Sequence, residues 1–331
     1  MTNLNTPQTT SHAGLIGLGI YRPSRVVPNS EIIDAIDSSD EWIRERSGII
    51  ERRFAAADET AASMGAIAAK NALLDAKVAA DQIDVVLVAT FSHRYQTPSA
   101  AAEIAAEIGA DNASAFDISA ACAGFCYGIG IADALVRAGN AKNVLVIGTE
   151  KLSDIIDMTD RGTAFIFADG AGAVVVSKTD KQGISPTVWG ADGNAREAII
   201  MQPDSVTAGK QGVPSLLTMQ GQAVFRWAVG SMGDVCHRAI DASGLSVNEL
   251  KAFVPHQANI RITDAIVKRF NFPQSVVIAK DIETAGNTSA ASIPLALHAL
   301  REAGQVKKGD PFLMVGFGAG LAFASQVALV P

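Results

Sequence analysis

Apolar residues along this chain fall into two kinds of stretch. One kind is short and nearly unbroken: residues 14–20 (GLIGLGI), 83–89 (IDVVLVA), 143–149 (NVLVIGT) and 167–176 (FADGAGAVVV). Runs of that length predict strands, and the unbroken 83–89 run predicts one buried on both sides, as in a parallel sheet. The other kind is longer and rich in alanine, over residues 60–76 and 99–109, and predicts buried helices. Asn29, Ser30 and Glu31 stand ahead of Ile32 and Ile33 as capping residues do, which predicts a helix there. Prolines mark residues 21–28 and 90–98 as loops, and the polar run 177–183 reads as a joint.

The pattern then repeats. Residues 244–255 resemble 76–88, with Lys251 against Asp84, an offset of 167. Gly316 stands against Gly148, an offset of 168, and Asn287 takes the place of Cys122, an offset of 165. Three offsets this close predict a duplication. The fold class is then α/β, with two pseudo-symmetric halves at residues 13–178 and 179–331 behind a loose polar tail at 1–12.

One stretch, residues 116–130 (FDISAACAGFCYGIG), carries chemistry of its own. It reads as strand, tight turn and helix, with Cys122 at the first helical turn. The first N–H groups of a helix lack partners and carry partial positive charge, so a thiol there loses its proton more readily. Ala121, Ala123 and Gly124 leave room beside the sulfur. A buried cysteine is equally at home as a small inert hydrophobe, and this stretch alone leaves both readings open. The duplication adds His256, at the end of the strand equivalent to 85–89, and Asn287, at the second helix start. Alone, the histidine reads as a structural hydrogen bonder and the asparagine as a helix cap. Converging on Cys122, they suit acyl transfer through a thioester. Asn287 then either orients the histidine or joins it in donating to one oxyanion.

Composition narrows the field. Hydrophobic residues make up 48% of the chain and charged ones 18%, with a net charge of −7, which disfavours a general nucleic-acid binder. Three cysteines, Cys122, Cys126 and Cys236, imply no disulfide framework and suit a reducing, cytoplasmic compartment. There is no CxxC pair, so no metal site is expected. The apolar runs are strand-sized, so no membrane span is expected, and the N-terminus lacks the regions of a signal peptide. Trp42 lies among Arg44, Arg46, Arg52 and Arg53. These form either a solvated face or a phosphate site with an aromatic platform.

The motifs ACAGF around Cys122, VPHQAN around His256, ETAGNTSAAS around Asn287 and GFGAG at 316–320 together resemble β-ketoacyl-acyl-carrier-protein synthase III. DSSDEWI and DRGTAFIFADGAGA fit the same family, which belongs to the thiolase-fold superfamily, and the likeness is greatest to its actinobacterial branch. The resemblance spans residue 14 to the C-terminus. It implies a thiolase-like fold in αβαβα layers and an initiating condensing enzyme of type II fatty acid synthesis. An acyl-CoA starter and malonyl-acyl-carrier protein are the implied substrates, with no cofactor, and the implied assembly is a homodimer. A thiolase-fold enzyme of secondary metabolism is the alternative. Cys122, His256 and Asn287 are the implied catalytic residues. The backbone N–H groups of Cys122 and Ala319 form the implied oxyanion hole, and Phe317 surrounds the departing carboxylate. Family members often carry glycine where this chain has Ala319, which raises a question about the backbone angle there.

The same resemblance implies CoA contacts at Ser38, Trp42, Arg46, Arg161, Gly221 and Asn259, with Trp42 and Arg161 sandwiching the adenine. A helix after Asn259 places Arg261, Lys268 and Arg269 on one side, either a solvated stripe or, with Arg226, a docking patch for the acidic carrier protein. In this family the 90–98 loop reaches into the partner's acyl pocket, and Thr97, with Gln96 or Tyr95 as the alternative, matches a position where acetyl-preferring relatives have phenylalanine. The resemblance therefore implies a roomier acyl pocket and longer starters.

Overall fold

The computed structural model describes Thr9 and residues 12–331. The tail expected at residues 1–12 lies mostly outside these described residues. The first half runs β1 (Ala13–Tyr21), β2 (Arg25–Pro28), α1 (Asp40–Ser47), β3 (Glu51–Phe54), α2 (Ala61–Ala76), β4 (Val85–Ala89), α3 (Ala100–Ile108), β5 (Ser114–Ile118), α4 (Gly124–Arg137), β6 (Asn143–Glu150) and β7 (Gly170–Lys178). The second half runs β8 (Val188–Ala191), β9 (Ile199–Gln202), α5 (Ser205–Gln211), β10 (Leu216–Met219), α6 (Gly221–Ser243), β11 (Ala252–Pro255), α7 (Ile260–Phe270), β12 (Val277–Ile278), α8 (Ile282–Ala285), α9 (Ser292–Glu302), β13 (Pro311–Gly318) and β14 (Ala322–Leu329).

Two five-stranded sheets follow the duplication strand for strand. The first has the order β1-β7-β6-β4-β5, and the second, read from its other edge, β8-β14-β13-β11-β12. β4, the strand of the 83–89 run, is parallel to both its neighbours, as its apolar run predicts, but neither sheet is parallel throughout. In each, the second strand in that order runs antiparallel to both neighbours, while the last three are parallel. An unbroken apolar run reports that both faces are covered and leaves strand direction unspecified. In the first sheet the chain returns from β6 to β7 without a crossover helix, which reverses β7.

Helices α2 and α3 cover the outer face of the first sheet, α6 and α7 the outer face of the second, and α4 and α9 fill the space between, giving the expected αβαβα layers. Small residues make the outer contact close. A Cβ at Gly17 in β1 would come within 2.5 Å of the Ala76 backbone nitrogen in α2. The alanines of α2 and the glycines of β1 are one packing solution.

The helix expected after Asn29 does not form beyond a single 3-10 turn at Asn29–Glu31. Asn29 is buried and its side chain serves tertiary contacts, donating to Asp40 and to Ile49 O and accepting from Arg52. Helix α2 begins as expected, with Thr60 and Ser63 forming a capping box.

Candidate active site

Cys122 sits in a 3-10 turn, Ala121–Ala123, that links β5 to α4. A matching turn, Ser289–Ala291, precedes α9. Ala121 and Ser289, which open the two turns, both hold a left-handed backbone, at φ 44° and 51°. They lie 168 residues apart, as do the first residues of α4 and α9. The structural counterpart of Cys122 is therefore Ala290, and Asn287 matches Ser119. The offset of 165 read from the sequence was three residues short, because aligning one polar residue with another ignored the turn that places them.

The central strands deliver the other groups. His256 follows β11, donates its backbone N–H to Val315 O at 2.8 Å and is 2% exposed. Its Nδ1 lies 2.7 Å from Ser292 Oγ, which leaves Nε2 for the cavity. The ring packs edge-on against Phe317, with centroids 5.3 Å apart. Asn287 is knitted into the first half by backbone bonds to Ile166 O and from Ala168 N, both 2.9 Å. Its Oδ1 accepts the Ser289 N–H at 2.9 Å, which leaves Nδ2 as the free donor. Arg52 is a strut beneath this loop. It is fully buried, bonded to Asn29, Val27 O and Phe165 O, and so is no phosphate ligand.

The GFGAG segment closes over the cysteine. A Cβ on Gly318 would stand 2.9 Å from Cys122 Cβ, 3.0 Å from its nitrogen and 3.1 Å from its sulfur. Ala319 follows directly, and it is Gly320 that takes the positive φ, at 135°. The alanine therefore carries no backbone strain.

Cys122, His256, Asn287, Phe317 and Ala319 line one cavity of about 880 Å³. Burial pushes the Cys122 thiol up to about 12, with Glu150 adding to the rise and a Ser289 hydrogen bond opposing it. This reverses the expectation of a readily ionised thiol, because desolvation outweighs the helix start. Burial also pushes His256 down to about 3, so the imidazole is neutral at physiological pH.

Trp42, Arg46, Arg161, Gly221, Asn259, Arg226 and Arg261 line the same cavity. The Arg161 guanidinium lies 4.7 Å from the Trp42 ring centre and that of Arg46 5.5 Å. Arg44 pairs with Asp40, and Arg53 donates to Pro23 O. Of the four arginines near Trp42, only Arg46 keeps the role open to it. Asn259 caps α7 through Arg261 N and ties Arg46 O, so both its polar atoms already have partners.

Other expected residues lie elsewhere. Ser38 is off the cavity wall, its hydroxyl buried without a partner, and Ser39 caps α1. Thr97 is exposed and lies off this chain's own cavity, which Phe91 from the same loop lines, its expected place being the acyl pocket of a partner subunit. Lys268 and Arg269 lie beyond the rim. Arg269 is bound to Asp234 and Gly230 O, and Asp264 interrupts the basic stripe. The sequence reading missed Glu150, Ser289 and Ser292. The serines stood in the TSAAS motif, read there only for Asn287.

A duplicated five-layer fold with a cysteine, a histidine and an asparagine in one central cavity is that of the thiolase-like condensing enzymes, which transfer acyl groups. Residues 116–193 match the family 3-oxoacyl-[acyl-carrier-protein (ACP)] synthase III, and residues 240–329 match its C-terminal part. The β-ketoacyl-[acyl-carrier-protein] synthase III of Streptomyces glaucescens is 48% identical over 334 residues, covering all of both chains. The mycobacterial β-ketoacyl-[acyl-carrier-protein] synthase III of Mycobacterium tuberculosis is 51% identical over 333 residues, covering all of this chain and 99% of that one. Among solved structures, the priming β-ketosynthase of the R1128 polyketide pathway superposes with a TM-score of 0.97 at 44% identity, covering 100% of this chain and 99% of that one. The synthase III of Aquifex aeolicus gives 0.88 at 40%, covering 96% and 100%. The chain belongs to the 3-oxoacyl-[acyl-carrier-protein] synthase III family, and is an acyl-transferring condensing enzyme of that kind.

Proposed function

We propose that this enzyme starts type II fatty acid synthesis by condensing an acyl-CoA with malonyl-acyl-carrier protein, releasing CoA and carbon dioxide. The observation that carries this reading is the convergence of Cys122, His256, Asn287 and Phe317 on one cavity whose wall also holds Trp42 and Arg161. Cys122 takes the acyl group from CoA as a thioester. Adenine enters between Trp42 and Arg161, which requires the guanidinium to lift off the indole.

In the second half-reaction the malonyl thioester oxygen accepts hydrogen bonds from His256 Nε2 and Asn287 Nδ2. In this scheme the Ser292 hydroxyl, which also receives the Gln257 N–H at 3.3 Å, donates its proton to His256 Nδ1, and Nε2 carries the ring proton. Loss of carbon dioxide leaves an enolate, which these two donors stabilise. Phe317 keeps the carboxylate in apolar surroundings, which favours its departure. The carbanion attacks the acyl carbon, the Cys122 and Ala319 N–H groups hold the tetrahedral oxyanion, and the cysteine sulfur leaves. The scheme runs on side chains and backbone amides and calls for no metal or prosthetic group.

The carrier protein, an acidic partner, docks beside Arg226 and Arg261, with Lys268 adding charge beyond the rim. The pairing of Arg269 with Asp234 argues for a lesser part. A homodimer fits the free edge of β5, where Phe116 is 39% exposed, and the exposed stretch 94–98 that carries Thr97. Among the described residues no helix is long and apolar enough to cross a membrane, which accords with a cytoplasmic enzyme.

Intact-mass spectrometry after mixing with acyl-CoA tests the reading. Native protein gains one acyl group on Cys122 and Cys122→Ser gains none, because an unactivated hydroxyl is a poor nucleophile. An adduct on Cys126 would overturn the assignment.

A further inference from the structure

Beneath Cys122 lies a run of side chains that the condensation scheme leaves unused. Glu150 ends β6 with no exposed surface. A carboxylate so placed needs partners. Its oxygens accept from Thr90 Oγ1 at 3.0 Å, the Ser92 N–H at 3.1 Å, the Phe91 N–H at 3.3 Å and the Ser92 hydroxyl. One further contact differs in kind. Ser289 Oγ lies 3.4 Å from Glu150 Oε1, and the same hydroxyl is near enough to the Cys122 thiol to pull its pKa down against the effect of burial. Asp169, the other deeply buried carboxylate of this region, bonds only Ser153 and Ala55 N, groups that hold the fold. The Glu150 contacts lead to the cavity.

Ser289 is fully buried and holds φ 51°, an angle that disfavours a side chain. Residues held at such angles gather where function needs them. Cys122 also lacks an evident base. The thiol is pushed far above neutrality, while His256 is neutral and in the proposed scheme serves through Nε2 as a donor to the malonyl thioester.

We infer that Ser289 and Glu150 form a proton relay for Cys122. The thiol S–H bond breaks and its proton passes to Ser289 Oγ, as the Ser289 hydroxyl proton passes to a Glu150 carboxylate oxygen. Negative charge moves from the carboxylate to the sulfur. After acyl transfer the departing CoA thiolate takes the proton back by the same hydroxyl, which regenerates the carboxylate. In this relay Ser289 exchanges its proton with the sulfur directly, and Glu150 acts through it as a positioning residue. The inference rests on Cys122 being the nucleophile.

Burial raises the Glu150 carboxyl to about 7, so both of its forms are populated at neutral pH. Cys122 is the titratable group that faces it from the turn before α4. Lys151, next along the chain, sends its ammonium to the Ala56 and Glu59 carbonyls and to Asp154. Asp169 is tied to Ser153, and His256 to Ser292.

Alkylation of Cys122 by iodoacetamide, followed by peptide mass spectrometry from pH 5.5 to 9.5, reads the relay without acyl-CoA or carrier protein. Failure of the relay is thereby separable from failure of the condensation scheme, which the acyl adduct tests. The wild-type rate should rise about tenfold through a limb near pH 7 that Glu150→Gln abolishes. Ser289→Gly, whose backbone angle glycine adopts freely, should slow alkylation at pH 7.5 about tenfold or more. A wild-type profile without a limb near pH 7, or a folded Ser289→Gly variant alkylated at the wild-type rate, overturns the relay.

Discussion

Replacing Gly318 by alanine should damage acyl transfer far more than it damages the fold. The added methyl would meet Cys122 Cβ at 2.9 Å, its nitrogen at 3.0 Å and its sulfur at 3.1 Å, whereas carbon contacts settle at about 3.5–4.0 Å. Something must therefore move by roughly 0.5–1 Å. β13 cannot retreat freely, because it is paired on both sides by β11 and β14. The cysteine turn is wedged as well, since Gly124 lies against Ala89 and Gly316 against Ala123. Overpacking of this kind costs about 1–3 kcal/mol, enough to lower the thermal midpoint by a few degrees and too little to unfold a chain of this size. A nucleophile displaced by about 1 Å loses on the order of 100-fold in rate. The assay is the single-turnover rate of acyl-enzyme formation by intact mass, beside a thermal melt. Gly230→Ala is the control, an exposed position within α6 with nothing inside 4 Å of the new carbon. It should add about 0.5–1 kcal/mol of stability and leave acylation unchanged. A Gly318→Ala enzyme that acylates at the native rate would show that the strand yields, and that β13 does not set the position of Cys122.

Further outcomes follow from the same geometry. His256→Ala and Asn287→Ala should each cut malonyl decarboxylation on the order of 100-fold and self-acylation much less; equal losses in both half-reactions would point to a proton-relay role instead. The buried neutral His256, held near 3 against an unfolded value of about 6.5, contributes stability that is present above pH 6.5 and lost as pH falls toward 3. Its share of the loss is about 1.4 kcal/mol per pH unit in that window, so denaturant titrations of His256→Asn should be less steep in pH than those of the native enzyme. Reversing charge at Arg261 and Lys268 should raise KM for the carrier protein, with a salt-sensitive effect, and spare KM for acyl-CoA; if both constants rise together, these residues serve the CoA site. Starters longer than acetyl should react best, each buried methylene being worth about 0.8 kcal/mol. Thr97→Phe should erase that preference, and an unchanged length profile would remove Thr97 from the pocket.

The duplicated α/β plan was legible in the sequence because it rests on local regularities: strand-length apolar runs, alanine-rich helices and a repeat of about 168 residues. The family motifs around Cys122, His256 and Asn287 were legible for a similar reason, each being a short contiguous string. Three features belonged to the tertiary structure alone. The reversal of β7 and β14 was one, since an apolar run is equally buried in a parallel or an antiparallel neighbourhood. The fate of Asn29 and Arg52 was another. Their local context suggested a helix cap for Asn29 and either a solvated face or a phosphate site for Arg52, and burial against Phe165 and beneath the Asn287 loop made them a strut. The third was the charge state of the site. A helix start favours a thiolate and a free histidine titrates near neutrality, yet desolvation in the middle layer moves Cys122 up to about 12 and His256 down to about 3. Burial depth is the sum of contacts from both halves, and no stretch of sequence contains it.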